Sequence, residues 1–407
     1  MKKTSLLMAA LAGTALAGSL PLHAEELEDL FTKGDAGLEF RYRLELVDQD
    51  GLAKDATAST LLTKIWYSTA NVHGFSGYLE ATNVTSVGKQ HYNSTVNGNT
   101  AYPVVADPEV TELNQAYAQY KNDFATVKVG RQGVNLDDQR FIGTVGWRQN
   151  DQTYDAAAAI LTPAKDLTAI YGYVWNVNRI FGKDHPLGDL DTNTHLFNLT
   201  YSGFSFGKLT AYSYLLDLND APVLGLSSAT FGARFTGQTD AGGGVKVGYQ
   251  AEYARQTDYK DNPADFAADF WHLGADVSVS GVKLGLDYEL LGSDGGVAFQ
   301  TPLATLHKFN GWADKFLSTP GQGLQDIYAS LAYTVPGEGA FSGLKLLAVY
   351  HDFQSDIGDV SYGSEWNFQA SKKLNKYLNL VVKAAHYNAD AFATDTTKFW
   401  VMLGAKF

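Results

Sequence analysis

Residues 38–46 read Leu-Glu-Phe-Arg-Tyr-Arg-Leu-Glu-Leu. Apolar or aromatic side chains occupy the even positions, and charged side chains occupy the odd ones. Because successive side chains of a β-strand point to opposite faces, this period of two predicts a strand with one apolar and one charged face. The same alternation recurs at 245–253 and 282–290, and no stretch after residue 30 shows convincing helical spacing.

Alternating segments of about ten residues, each followed by a turn, continue through the chain after residue 25. About eighteen can be counted, and bacterial single-chain outer-membrane barrels have an even number of strands. They fall near residues 37–50, 59–70, 74–88, 111–122, 125–132, 152–161, 167–177, 194–203, 207–218, 227–238, 243–258, 268–280, 282–293, 324–335, 342–354, 361–374, 377–389 and 396–407.

The connections between these segments alternate in length. Every other connection is a short turn, whereas the connections between them are mostly longer, as at 89–110, 133–151, 178–193 and 294–323. Outer-membrane barrels have short periplasmic turns and long extracellular loops. The fold class predicted is therefore all-β: a single transmembrane antiparallel β-barrel of about eighteen strands, with short periplasmic turns and long extracellular loops.

Features at the two ends of the chain decide which face points outward. Residues 1–24 have two lysines, a short apolar run and Ala24 before an acidic start, which predicts a signal peptide and a barrel over 25–407. The last strand is apolar at every second position and ends on Phe407, a pattern typical of clients of the barrel-assembly machinery. Aromatic residues near strand ends fit interfacial girdles (Trp66, Tyr67, Trp175, Trp271, Trp366 and Trp400). A soluble secreted β-protein is the alternative.

Composition excludes several function classes. The chain has 31 Lys+Arg against 44 Asp+Glu, a net charge of −13, so it lacks the basic surface that nucleic-acid binding needs. It has no cysteine, which excludes disulfides and thiolate metal sites. The histidines are scattered and no nucleophile, base and orienting group assemble, so we expect no catalytic residues, no metal site, no cofactor and no enzyme activity.

One region carries a family resemblance. It contains ELNQAYAQY at 112–120, VGRQ at 129–132, LDDQRFIG at 136–143, VGWRQN at 145–150 and QTYDA at 152–156, with RYR at 41–43 and YPVVADPE at 102–109 upstream. This run resembles the alginate-export family of outer-membrane porins. The resemblance implies an eighteen-stranded monomeric barrel with an arginine-bearing lumen that passes an anionic polysaccharide.

Strand parity predicts which charged side chains line the lumen, and the two signs balance. The basic ones are Arg41, Arg43, Lys64, Lys128, Arg234, Lys246, Lys283, Lys345, Lys383 and Lys398. The acidic ones are Glu39, Glu45, Glu80, Asp155, Glu252, Asp276, Asp287, Glu289, Asp326 and Glu365. A mixed wall, together with periplasmic turns too short to gate the pore, departs from what a dedicated alginate exporter requires.

The loop at 133–151 is the best candidate for a constriction. It combines Asp137, Asp138, Arg140 and Arg148 with aromatic side chains, so folding into the barrel would hydrate its charges and bury its apolar groups. Opposed arginines and aspartates would then set a transverse field across the pore. The alternative is an external lid held by Arg–Asp pairs. Regular alternation points Arg131 at lipid, unless a bulge at Gly130 turns it inward.

These observations predict an outer-membrane channel in a Gram-negative bacterium for polar, mainly anionic solutes such as uronic-acid oligosaccharides or small carboxylates. A non-selective diffusion porin is the alternative within transport, and an outer-membrane hydrolase or an adhesive barrel is the alternative outside it. The expected partners are outer-membrane lipid, lipopolysaccharide, the assembly machinery and the solute, with the chain a monomer. The expected pore-lining residues are Arg41, Arg43, Glu45, Lys64, Glu80, Arg131, Asp137, Asp138, Arg140, Arg148 and Arg234. The sequence leaves open the direction of transport and which loops gate the pore.

Overall fold

A computed structural model of the chain describes residues 24–407, so the predicted signal peptide lies outside the described residues except for Ala24. The chain forms one sheet of eighteen strands and a separate two-residue hairpin. The strands are β1 Asp35–Gln49, β2 Ala56–Ser68, β3 Phe75–Ser86, β4 Val110–Lys121, β5 Ala125–Gln132, β6 Thr153–Ala164, β7 Leu167–Asn178, β8 Asp189–Phe204, β9 Gly207–Leu216, β10 Ser228–Gly242, β11 Val245–Asp258, β12 Ala267–Val279, β13 Val282–Leu291, the hairpin β14 Ser293–Asp294 and β15 Val297–Ala298, β16 Leu324–Thr334, β17 Lys345–Gln354, β18 Ser361–Lys373, β19 Leu378–Ala389 and β20 Thr396–Lys406. The helices are α1 Ala24–Thr32 and two 3₁₀ turns, Ala221–Leu226 and Leu306–Lys308.

The sheet closes on itself. Each barrel strand pairs antiparallel with its neighbours in sequence, and β1 also pairs with β20, in a register that runs from Glu39 opposite Lys406 to Gln49 opposite Thr396. The predicted all-β fold of eighteen antiparallel strands is confirmed. Closure leaves no free sheet edge, which is the condition for a sheet to span a membrane.

The two ends of the barrel differ in the length of their connections. At one end, the turn end, most hairpins close within a few residues, and the longest turn joins β16 to β17 over residues 335–344. The opposite end, the loop end, carries long segments at 87–109, 133–152 and 292–323. Helix α1 packs at the turn end, where the Tyr67 hydroxyl donates to the Phe31 carbonyl. Within residues 24–407, none of the helices has the length and apolar character needed to cross a membrane.

The strands have an apolar outer face and a polar inner face. On β13, Leu284 and Leu286 are 60% and 61% exposed, whereas Glu289 is 1% exposed. Trp271 and Trp366 lie on the outer face, as expected for girdle residues. Trp400 does not, because it shares the parity of Lys398 and is fully buried inside the barrel. Trp66 also faces inward, because it pairs in register with the buried Glu80 of β3. The assignment of both tryptophans to the girdle is therefore corrected.

Cysteine labelling tests this division between faces at two adjacent exposed positions. Lys283→Cys should react with a membrane-impermeant thiol reagent in outer-membrane vesicles, because its side chain faces the water-filled interior. Leu284→Cys should stay unreacted because it faces the hydrocarbon, and the chain has no other cysteine to confuse the assay. Equal reactivity in vesicles, or the reverse order, would contradict a membrane-spanning barrel; both variants should react in denaturant.

Candidate functional site

Two loops fold into the barrel and bind each other. These inner loops are residues 133–152 and 292–323. The Gly143 amide donates to the Leu303 carbonyl at 2.9 Å, and the Thr305 amide donates to the Gln139 carbonyl at 3.0 Å. The first of them has its predicted position inside the barrel, and the second joins it there. The interior of the loop end is therefore filled by a single hydrogen-bonded unit.

Apolar packing and local backbone geometry hold this unit in place. Phe141 packs against Phe270 of β12 and Phe299 of the second inner loop, at ring-centroid distances of 5.4 and 5.9 Å. Val145 has φ +53°, a conformation that β-branched residues rarely adopt. The Thr305 hydroxyl accepts its amide hydrogen at 3.1 Å, so the second loop stabilises the unusual turn of the first.

A basic cluster lies where the first inner loop meets β1. Arg41 donates to the Gln149 side chain and to the Gly146 carbonyl, each at 2.9 Å, so it binds the first inner loop at two points. Arg43 is fully buried and pairs with Asp107 at 3.0 Å. Burial opposes ionisation of Asp107, but Arg43 and Arg148 outweigh it and keep the pKa of this carboxyl below its usual value.

Asp314 of the second inner loop is the centre of this cluster. Its carboxylate accepts hydrogen bonds from Arg148 at 3.0 Å, Lys398 at 2.8 Å and His307 Nδ1 at 2.7 Å. Arg148 also pairs with Glu45 of β1 at 3.1 Å. Burial opposes ionisation of Asp314, but its basic partners hold its pKa well below the usual range. Asp314 and Arg148 thus join both inner loops to β1 and β20.

Lys383 of β19 lies between two tryptophan rings. Its ammonium is 3.9 Å from the ring centre of Trp147 and 3.7 Å from that of Trp312, a cation–π arrangement. It donates to His307 Nε2 at 2.9 Å. Burial and the charge of Lys383 lower the pKa of His307 well below its usual value, so the neutral ring donates from Nδ1 to Asp314.

An acidic cluster lies across the lumen, on β13 and β16. Glu289 of β13 accepts two hydrogen bonds from Arg140 of the first inner loop, at 3.0 and 2.8 Å. Asn310 of the second loop donates to Glu289 and to Asp326, and His351 pairs with Asp326 at 2.9 Å. Arg140 was expected to face the solute, but it is 2% exposed and lies between loop and wall. Its role here is to anchor the loop.

The acidic cluster continues onto β10 and β11. Arg234 lies 2.8 Å from Asp138 and 3.7 Å from Glu252. Asp137 accepts a hydrogen bond from Asn198 of β8 at 2.8 Å, and burial raises the pKa of Asp137. Both predicted aspartates therefore lie at the inner wall, opposite the basic cluster.

The remaining predicted residues form two smaller pairs. Lys64 of β2 lies 2.7 Å from Asp151 and 3.4 Å from Glu80, which fixes the end of the first inner loop. Arg131 makes a two-point pair with Asp155 of β6, at 2.7 and 3.1 Å, with 31% of its side chain exposed. Its preceding residue Gly130 has φ +125°, but Arg131 joins neither of the two clusters.

A cavity of about 380 Å³ lies beside the basic cluster and is bordered by both inner loops. Its lining combines hydrogen-bonding groups with aromatic rings and two ammonium groups: Gln139, Thr144, Gly146, Trp147, Thr305, His307, Lys308, Trp312, Gln369 and Lys383. Cations outnumber carboxylates in the basic cluster and carboxylates outnumber cations in the acidic cluster, so the arrangement sets a field across the lumen.

Sequence reasoning missed several members of this site. Glu289, Lys383 and Lys398 had the correct parity, but nothing in the sequence singled them out from other wall charges. Asp314 and Trp312 lie in a long loop without strand periodicity, so no parity argument reached them. Asp107 was within the quoted stretch YPVVADPE, which was the one available signal for it.

Comparison with known proteins gives the following similarities. The sequence model of the alginate export family matches residues 33–290. The fold is similar to that of Acinetobacter baumannii OccAB4, with a TM-score of 0.73 at 14% identity over 93% of this chain and 99% of that one. It is also similar to Acinetobacter baumannii OccAB2 (TM-score 0.72, 16% identity, 93% and 99%) and Pseudomonas aeruginosa OpdK with vanillate (TM-score 0.69, 11% identity, 92% and 98%). No curated protein matches the sequence.

Proposed function

The chain belongs to the alginate export family, a family of outer-membrane porins, and from this premise we propose that it passes small polar anions across the outer membrane. The channel class itself rests on the family and on the eighteen-stranded barrel. The preference for anions rests on the constriction formed by the inner loops.

One observation carries the preference for anions. In the part of the chain that the structure describes, neither Arg41 nor Lys383 forms an ion pair with a carboxylate. Arg41 is bound to a side-chain amide and to main-chain carbonyls, and Lys383 to a neutral histidine and two tryptophan rings. Each of the other cations of the basic cluster forms an ion pair with a carboxylate: Arg43 with Asp107, Arg148 with Glu45, and Lys398 with Asp314. The Arg41 guanidinium, which no carboxylate neutralises, attracts an anion toward the cavity, and the Lys383 amine in the cavity lining can donate a hydrogen bond to it.

The lining of the cavity supports carboxylate-bearing solutes with hydroxyl groups or rings, such as uronic-acid oligosaccharides or small organic acids. Thr144, Thr305 and Gln369 offer hydrogen bonds to hydroxyl groups. Trp312, which also lines the cavity, offers an aromatic surface against which a ring can pack. The structurally similar OpdK was solved with vanillate, which is itself a carboxylate on a ring.

Reversal potentials in a KCl gradient test the proposal. The double variant Arg41→Gln, Lys383→Met removes the uncompensated guanidinium and the amine that donates to the solute, so we expect its anion-to-cation permeability ratio to fall by about threefold or more. The matched control is Lys165→Gln, Lys376→Gln, which removes two exposed charges in turns. A ratio that is unchanged in the double variant would contradict the proposed site. A wild-type ratio near one would instead indicate a non-selective diffusion porin.

A further inference from the structure

The outer face of the barrel has a groove in its half nearer the turn end. The groove has a volume of about 450 Å³ and crosses the five strands from β16 to β20. The large side chains around it are all exposed on the outer face: Leu331, Tyr333, Leu346, Phe368 and Phe399. The groove therefore opens toward the membrane.

Alanines at outward positions create two gaps in the groove. Strand pairing places Ala348 between Leu331 and Phe368, and it places Ala384 between Phe368 and Phe399. Large and small side chains thus alternate across five neighbouring strands. Phe368 forms a ridge with one gap on each side.

The two gaps join toward the turn end. Ala370 follows Phe368 on the outer face of β18 and lies between Leu346 and Val382 of the neighbouring strands. Because the alanine side chain is too small to continue the ridge, the groove is single at this level. Its outline is a fork with one stem and two arms, which matches a lipid that carries two acyl chains on one glycerol.

Lys372 lies at the open end of the stem. It follows Ala370 on the outer face of β18, about 7 Å further toward the turn end. Its ammonium donates to the Ala340 carbonyl in the turn between β16 and β17, and Lys376 is exposed in the next turn. In the part of the chain that the structure describes, neither lysine forms an ion pair, and Glu338 is the one carboxylate of these two turns. The mouth of the groove is therefore positively charged.

Aromatic side chains mark the level of the membrane surface. Tyr333 pairs with Leu346, which in turn pairs with Ala370, so its ring lies at the level of the stem. Phe341 is 71% exposed in the turn that Lys372 binds. Aromatic rings at strand ends and turns belong to the boundary between hydrocarbon and headgroups, and the short turns of such barrels are periplasmic. The lysines therefore lie among the phospholipid headgroups of the inner leaflet, away from the lipopolysaccharide of the outer leaflet.

We propose that this forked groove binds one anionic diacyl phospholipid of the inner leaflet, with its phosphate at Lys372 and Lys376 and one acyl chain on each side of Phe368. Burial of the chains brings no hydrophobic gain, because the bilayer is as apolar as the groove. Close packing in the two gaps and two cations for the phosphate distinguish this face from the rest of the barrel. The inference goes beyond the proposed function and does not depend on which solute the channel passes.

Native mass spectrometry of the purified channel with added dioleoylphosphatidylglycerol or dioleoylphosphatidylethanolamine tests the headgroup site. We expect one phosphatidylglycerol to bind with an apparent Kd about tenfold lower than that of the zwitterionic lipid. In the variant Lys372→Gln, Lys376→Gln this ratio should fall to about twofold or less. The matched control Lys121→Gln, Lys165→Gln removes two exposed charges from the turn end on the other side of the barrel and should keep the ratio.

Filling the gaps tests the fork itself. In Ala348→Leu, Ala384→Leu both arms are occupied by protein side chains, so the affinity for phosphatidylglycerol should fall about tenfold. The matched control Ala211→Leu, Ala233→Leu adds the same side chains to the outer face of β9 and β10, and it should bind like the wild type. Heat-modifiable migration in electrophoresis confirms that each variant is folded.

Three results would overturn the proposal. The first is equal binding of phosphatidylglycerol by the wild type and the gap-filling variant. The second is equal binding of the two phospholipids by the wild type, or tighter binding of lipid A than of either. The third is a dimer that the gap-filling variant dissociates, since the groove would then be a contact between two copies of the chain.

Discussion

Arg140→Ala is expected to release the inner loops and widen the pore. The guanidinium donates to Glu289, Thr301 and Asn310, so it ties the first inner loop both to β13 and to the second loop. Removing one partner of a buried ion pair costs about 3–5 kcal/mol, because the remaining charge stays buried without compensation. We expect single-channel conductance to rise severalfold and the size limit for polyethylene glycol to increase.

Two further variants distinguish loop release from simple loss of side-chain volume. Arg140→Ala combined with Glu289→Ala removes both charges and should restore part of the wild-type size limit, since no buried charge is left unpaired. Arg131→Ala removes an arginine of equal size from a partly exposed pair, which costs below about 1 kcal/mol, and should leave conductance unchanged. Wild-type conductance and size limit in Arg140→Ala would show that Arg140 is not an anchor.

The strands could be predicted from the sequence because the information that specifies them is local. A period of two in side-chain polarity and the turn that follows are both contained within about fifteen residues, so all eighteen strands were found, with boundaries close to those observed. The short turns were found for the same reason. Trp400 shows the limit of assigning aromatics by position alone: parity with Lys398 places it inside, whereas its position near a strand end had suggested a girdle.

The site could be predicted only in part, because its contacts join distant segments. Charges and aromatic rings in the first inner loop predicted that it folds inward. The residues that bind this loop could not be predicted in the same way, because Arg140 pairs with Glu289 and Arg148 pairs with Asp314. In each pair the two residues are more than a hundred positions apart in the sequence.

Asp314→Asn is expected to strengthen the preference for anions and to change its pH dependence. The substitution keeps the shape of the side chain but removes the negative charge shared by Arg148, Lys398 and His307. The basic cluster then carries an additional uncompensated charge, so the anion-to-cation permeability ratio should rise by about threefold to tenfold. This direction is opposite to that of the Arg41 and Lys383 double variant, although both alter the same cluster.

The pH dependence follows from neighbouring groups in the second inner loop. Asp314 stays ionised and His307 stays neutral through mildly acid pH, because the pKa of each is well below its usual value. Burial and Lys398 lower the pKa of Lys315 to about 8, so Lys315 loses its charge as the pH rises through 8. The wild-type preference for anions should therefore fall as the pH rises through 8. Asp314 raises the pKa of Lys315, so in Asp314→Asn the fall should begin at lower pH. Lys315→Gln should abolish the fall of the anion preference with rising pH. Reversal potentials that fall with pH equally in the wild type and Lys315→Gln would contradict this assignment, and a lower permeability ratio in Asp314→Asn would show that Asp314 is not the counter-charge of the cluster.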